Sequence, residues 1–166
     1  MNSFKKNSSR YLAVAVFVAA VVAASALLAG QPQTASAGKD QLVVYGDTVF
    51  FIAPGAPLSC TLSSRFKHGD SVGFRMTAIN PATGERDRAT QLVVHITYGG
   101  KSVDIPMRDR QNDRSPERKF WIGKWVVPDD APVGIVRYTV TAKDPQGRMG
   151  EYKPFDVEPS QLTIVE

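Results

Sequence analysis

The sequence predicts an all-β domain, an antiparallel β-sandwich of about 7–9 strands, behind an N-terminal apolar helix. Three observations carry that expectation. Segments rich in Val, Ile, Thr and aromatic residues recur along the second part of the chain. Apolar and polar residues alternate within them, which places every other side chain on one face of a strand. Gly, Pro, Asn and Asp stand between the segments as turn signals.

Taken in order, Gln41 to Ile52 holds two apolar runs around Gly46-Asp47 and reads as a hairpin or a bulged strand, ended by Pro54, Gly55 and Pro57. Ser59 to Leu62 reads as a short extended piece. Val72, Phe74, Met76 and Ala78 then alternate with Ser71, Gly73, Arg75 and Thr77, and Asn80-Pro81 with Thr83-Gly84 marks a turn. Leu92, Val94, Ile96 and Tyr98 share the face of the next strand. Gly99-Gly100 is a hairpin signal joining it to Lys101–Met107. Lys119–Val127 and Ile135–Ala142 follow, Pro145-Gln146-Gly147 turns the chain into Met149–Val157, and Gln161–Val165 closes the series. No segment of this part carries a helical apolar stripe. The alternation favours two packed antiparallel sheets.

The chain starts in a different manner. Lys5, Lys6 and Arg10 precede Tyr11 to Gly30, which holds no charge, and Ala35-Ser36-Ala37 follows a helix-breaking Pro32. A cationic start, an apolar run and a small-x-small end are the three parts of a secretory signal peptide. The expected cut falls after Ala37 and leaves Gly38 as the first mature residue. The apolar run exceeds the usual signal length, and at about 1.5 Å per residue it reaches across a hydrocarbon core of about 30 Å. Residues 11–30 therefore have a second reading, as an uncleaved membrane anchor. Either way the domain at 38–166 is expected outside the cytoplasmic membrane: periplasmic, secreted or held at its outer face. Its length suits a single core.

Removing the leader changes the charge. Of 20 Lys+Arg the leader holds three, and it holds none of the 16 Asp+Glu, so the whole-chain charge of +4 falls to about +1 for 38–166. A domain so balanced lacks the basic face that nucleic acid requires. The one cysteine, Cys60, closes no internal bridge. It reads as a small buried hydrophobe, as the site of an intermolecular disulfide in an oxidising compartment, or as a ligand.

Catalytic signatures are missing: there is no Gly-x-Ser-x-Gly, His-Glu-x-x-His, phosphate-binding loop or dinucleotide fingerprint. No enzyme and no cofactor are expected. The alternative is copper, since Cys60, His68, His95, Met76 and Met107 are the soft and imidazole ligands present, and Cys with His and Met suits that metal. His68 to Phe74 is similar to an early strand of cupredoxins, although the Cys, His and Met cluster of that family is missing. Met76 alternates with Val72 and Phe74 and reads as core, and His95 falls opposite Leu92 and Ile96.

Two features point to a partner. Arg108 to Arg118 has no apolar residue beyond Pro116 and alternates in sign, with Arg108, Arg110, Arg114 and Arg118 set against Asp109, Asp113 and Glu117. Such a run reads as a solvated loop, and long loops on a rigid scaffold are where contacts concentrate. Trp121 and Trp125 share one strand face while Phe120, Ile122 and Val126 take the other. If the Trp face is exposed it anchors a protein or stacks on sugar rings, the basis of a carbohydrate-binding alternative. If not, it is core.

Trp125 to Asp144, with Pro128, Pro132 and Gly134 at the turn and Tyr138, Val140 and Ala142 facing inward, resembles the late strands of bacterial immunoglobulin-like and fibronectin type III-like modules of exported proteins. The likeness covers about a third of the mature chain and implies a seven- to nine-stranded sandwich with a binding role, since the fold hosts many functions. The expectation from all of this is an exported accessory subunit. It would act on another exported or membrane protein, through the Arg108–Arg118 run and any exposed part of the Phe120–Val127 strand.

Overall fold

Alternating strands give each sheet one apolar face, and two such faces bury one another. A computed structural model describes residues 41–52 and 60–166, which belong to one compact unit, Ala37–Glu166. The expected leader, the tether at 11–30 and the Ala37-Gly38 cleavage point lie outside the described residues. Within the described residues no helix is long and apolar enough to cross a membrane.

The strands are β1 (Val43–Phe50), β2 (Arg65–Phe66), β3 (Ser71–Ile79), β4 (Gln91–Tyr98), β5 (Lys101–Pro106), β6 (Arg108–Asp109), β7 (Trp121–Val126), β8 (Gly134–Lys143), β9 (Met149–Tyr152) and β10 (Leu162–Ile164). They form two sheets, and the molecule is all-β. The first sheet has the order β1-β3-β7-β6. In the second, β8 is flanked by β4 and then β5 on one edge. On its other edge β10 pairs with Gly134–Val136 and β9 with Val140–Lys143. Every ladder is antiparallel but one: β10 runs parallel to β2, with Thr163 opposite Arg65 and Ile164 opposite Phe66.

The core lies between the inner faces. Val72, Phe74, Met76 and Ala78 of β3 and Trp121 and Trp125 of β7 meet Leu92, Val94 and Ile96 of β4 and Val136, Tyr138, Val140 and Ala142 of β8. Phe66, Leu162 and Ile164 are fully buried beside them. Phe74 and Tyr138 pack edge to face across the layers, their ring centroids 5.0 Å apart, the arrangement that aromatic quadrupoles favour.

Local chemistry explains most boundaries. Gly99 and Gly100 take φ of +50° and +76°, the two positive angles that a tight hairpin between β4 and β5 demands. Gly46-Asp47 is not a turn. It sits within the continuous strand β1, where a Cβ at Gly46 would come within 2.2 Å of the Arg75 carbonyl oxygen and 2.8 Å of the Met76 Cα. Glycine is there so that β1 and β3 can approach. The expected strand Met149–Val157 ends at Tyr152, because Pro154 has no N–H to offer a ladder. The run from Arg108, read as a loop, begins as β6, with Arg108 opposite Ile122 and Asp109 opposite Trp121.

Candidate functional site

The start of the charged run is partly withdrawn from solvent. Asp109 accepts hydrogen bonds from Arg86, from Arg88 Nε at 2.8 Å and from the Gln111 N–H at 3.0 Å. Arg86 also donates to Gln111 Oε1 at 2.8 Å, and its guanidinium lies 3.8 Å from the centroid of the Trp121 ring. An arginine so placed gains from the indole face as well as from its anion. Burial alone would raise the Asp109 carboxyl, but the hydrogen bonds from Arg88, Gln111 and Arg86 outweigh it and hold the group below the usual carboxylate range. The sequence reading missed Arg86 and Arg88, which belong to a separate loop. Beyond Gln111 the run folds on itself, with Asn112 bridged to Ser115. Arg110 is half-buried, and Arg114 and Arg118 are exposed at the tip.

Trp121 and Trp125 do not face solvent. They are 2% and 6% exposed, opposite Met76 and Val72 on the inner face of the first sheet. Neither ring is presented to a sugar or to a partner, and that part of the expected contact surface is corrected to core. The physical reason is register: the two rings stand beside Met76 and Val72, which face the opposing sheet. On the outer face of β7 Ile122 is buried too, while Lys124 and Val126 are exposed.

The soft and imidazole residues are dispersed. Cys60 is exposed, in a turn with φ of +61°, and its N–H donates to Phe50 O at 2.8 Å. His68 lies between β2 and β3 with Nε2 2.8 Å from Ala131 O. Met107 packs against the core after β5, and Met76 is fully buried. Among the described residues no three His, Cys, Asp or Glu side chains are grouped to hold a metal ion. His95 lies on the outer face of the second sheet, with Nδ1 2.8 Å from Asp104 Oδ1 and Nε2 2.8 Å from Thr141 Oγ1. A neutral ring protonated on Nδ1 satisfies both partners, donating to the carboxylate and accepting from the hydroxyl. Acid, imidazole and hydroxyl stand in the order of a nucleophilic triad. They border a concavity of about 560 Å³ that His95 lines with Thr97, Arg137, Lys153 and Asp156, and the strand N–H groups beneath them serve the ladders. What the line does is staple β5, β4 and β8 together.

A second concavity among the described residues lies beside β1. β1 is paired with β3 along one edge, and along the other its neighbours are partial. Leu42 N donates to Met149 O at 2.8 Å at one end. At the other, Ser63 N donates to Thr48 O at 3.1 Å and Phe50 N to Thr61 O at 2.9 Å. Among the described residues no strand is registered against this edge between Leu42 and Thr48. A cleft of about 1130 Å³ opens there. Tyr138 and Tyr152 line it from the second sheet, Leu62 to Arg65 close one end, and Phe155 and Val157 approach from the segment between β9 and β10. Tyr45, Leu62, Phe155 and Val157 are all more than half exposed, Phe155 at 75%. The far end of the charged run, Glu117 with Lys119 and Phe120, forms a rim.

The charged groups beside β1 and β2 are paired with one another. Arg75 grips Asp47 with Nε at 2.9 Å and a terminal nitrogen at 2.7 Å, and that hydrogen-bonded pairing raises the Arg75 guanidinium. Arg65 pairs with Glu158 at 2.6 Å. Burial pushes the Tyr138 hydroxyl above the usual phenol range, helped by its contact with Tyr152. The Ser63 hydroxyl donates to Arg65 O at 2.7 Å. The cleft thus offers apolar surface and a strand edge rather than a reactive group. One signal for it stands in the sequence, the apolar residues Phe155 and Val157 after Pro154, where a strand cannot continue.

No protein-family model matches the chain, and no curated protein matches it at significance.

Proposed function

We propose that this protein is an exported, non-enzymatic binding or accessory module, an immunoglobulin-like sandwich acting through protein contacts outside the cytoplasmic membrane. The immunoglobulin-like reading is supported by the two packed sheets and by the chain at 60–66, which borders β1 of the first sheet and then joins the second as β2. Export is supported by the cationic and apolar leader. The observation that carries the binding role is the cleft beside β1, where four large apolar side chains stay exposed around ion pairs that neutralise one another. Exposed apolar groups gathered on one concave surface mark interaction sites. The exposed tip of the charged run, Arg114 and Arg118, extends the same surface past the Glu117 rim.

The test is affinity purification from the native host with mass spectrometry. It compares the wild type with a cleft variant, Leu62→Asp plus Phe155→Asp, and a tip variant, Arg114→Glu plus Arg118→Glu. The cleft variant is expected to lose its partner while keeping the wild-type circular dichroism. Unchanged recovery of every partner by both variants would sink the proposal.

A further inference from the structure

The cleft restricts what can fill it, and we infer that it takes one extended, uncharged segment of a partner protein, added as a strand beside β1 at Gly46. This inference rests on the binding role proposed above and specifies the form of the partner. Three observations lead to it. The first is the edge itself: Gly150 of β9 packs against Leu42 and Val44, and the run clear of a neighbouring strand among the described residues is Tyr45–Asp47. At about 3.4 Å per residue it offers roughly 10 Å of strand edge, enough for a short β-augmentation.

The second is that this edge is recessed. Met149 already borders β1 at Leu42, and residues 61–63 border it at Thr48–Phe50. A second copy of this molecule, arriving edge to edge, would bring the same flanking segments into space already taken. A lone segment without neighbours fits between them. The third is charge. Asp47 is held by Arg75 and Glu158 by Arg65, while Glu117 and Lys119 oppose each other in sign on the rim. Asp47 and Glu158 therefore offer a charged occupant no unpaired partner along β1, whereas an apolar one meets Tyr45 on the outer side and Tyr138 with Tyr152 on the inner. Alternate side chains of an added strand fall on those two sides.

The experiment places a photo-crosslinking amino acid at Leu62 or at Phe155, both exposed, in the full-length protein expressed in its host, with Arg114 as a third position. Crosslinks from Leu62 and Phe155 to one short segment of one partner are expected. That segment, made as a synthetic peptide, should slow hydrogen exchange of the Gly46 amide by about tenfold or more. Crosslinks to another copy of the chain, crosslinks scattered over a folded partner surface, or no slowing at Gly46 would overturn the added strand while leaving the binding role. Crosslinks from Arg114 alone would do the same. No crosslinked protein from any of the three positions would overturn both.

Discussion

The two ends of the first sheet handle exposed chemistry in opposite ways. At the β6–β7 end, the charged run keeps its tip exposed but turns its start, Asp109, toward neighbouring groups. Asp109 takes hydrogen bonds from two arginines and Arg86 lies on the Trp121 ring. At the β1 end, a strand without a charged run leaves its edge uncovered beside Leu62 and Phe155. The charged run is thus engaged at its start and free at its tip, and the open side is marked by apolar residues that lie outside a sheet. A side chain's availability to a partner depends on what its neighbours have already claimed.

The largest way to break the contrast is to remove the platform of the closed end. Trp121→Ala is expected to cost about 3–5 kcal/mol, through the lost ring and the cavity left behind, read by urea denaturation. Asp109→Asn comes next at about 3 kcal/mol, because it leaves the buried Arg86 without its anion. The same variant tests the sign of the titration. The folded Asp109 carboxyl is held below its unfolded value, so its contribution is full above about pH 4 and fades as pH falls through the folded pKa. Wild-type stability should drop on that acid side more steeply than that of Asp109→Asn. At the open end, Asp47→Asn loosens a half-exposed pair and should cost about 1 kcal/mol or less. Leu62→Asp and Phe155→Asp should each stay within about 0.5 kcal/mol of wild type. A large loss for either would mean that the cleft side chains hold the fold rather than a partner.

The regular strands were legible in the sequence because burial on one face writes a period of two into β3, β4 and β8. The Gly99-Gly100 hairpin was legible because its backbone angles admit few other residues. What stayed hidden depends on distance. β2 and β10 are too short to show a period, and their parallel pairing joins ends of the domain that no local pattern connects. β6 was hidden by polar residues whose partners, Arg86 and Arg88, sit in another loop. Trp121 and Trp125 could be read as platform or as core until their register with Met76 and Val72 decided it. The cleft was least legible of all, since it lies where, among the described residues, part of β1 has no registered neighbour, and such a gap leaves no motif.

The parallel pairing of β2 with β10 also sets a schedule. Arg65 meets Glu158 across 93 residues of chain, and Phe66 has no ladder among the described residues until Ile164 arrives beside it. Contacts that far apart are slow to form, since the intervening loop must close before they yield anything. The sandwich therefore cannot be finished from its N-terminal side as the polypeptide emerges. While β1 can pair early with β3, β2 finds its ladder only once β10 is available.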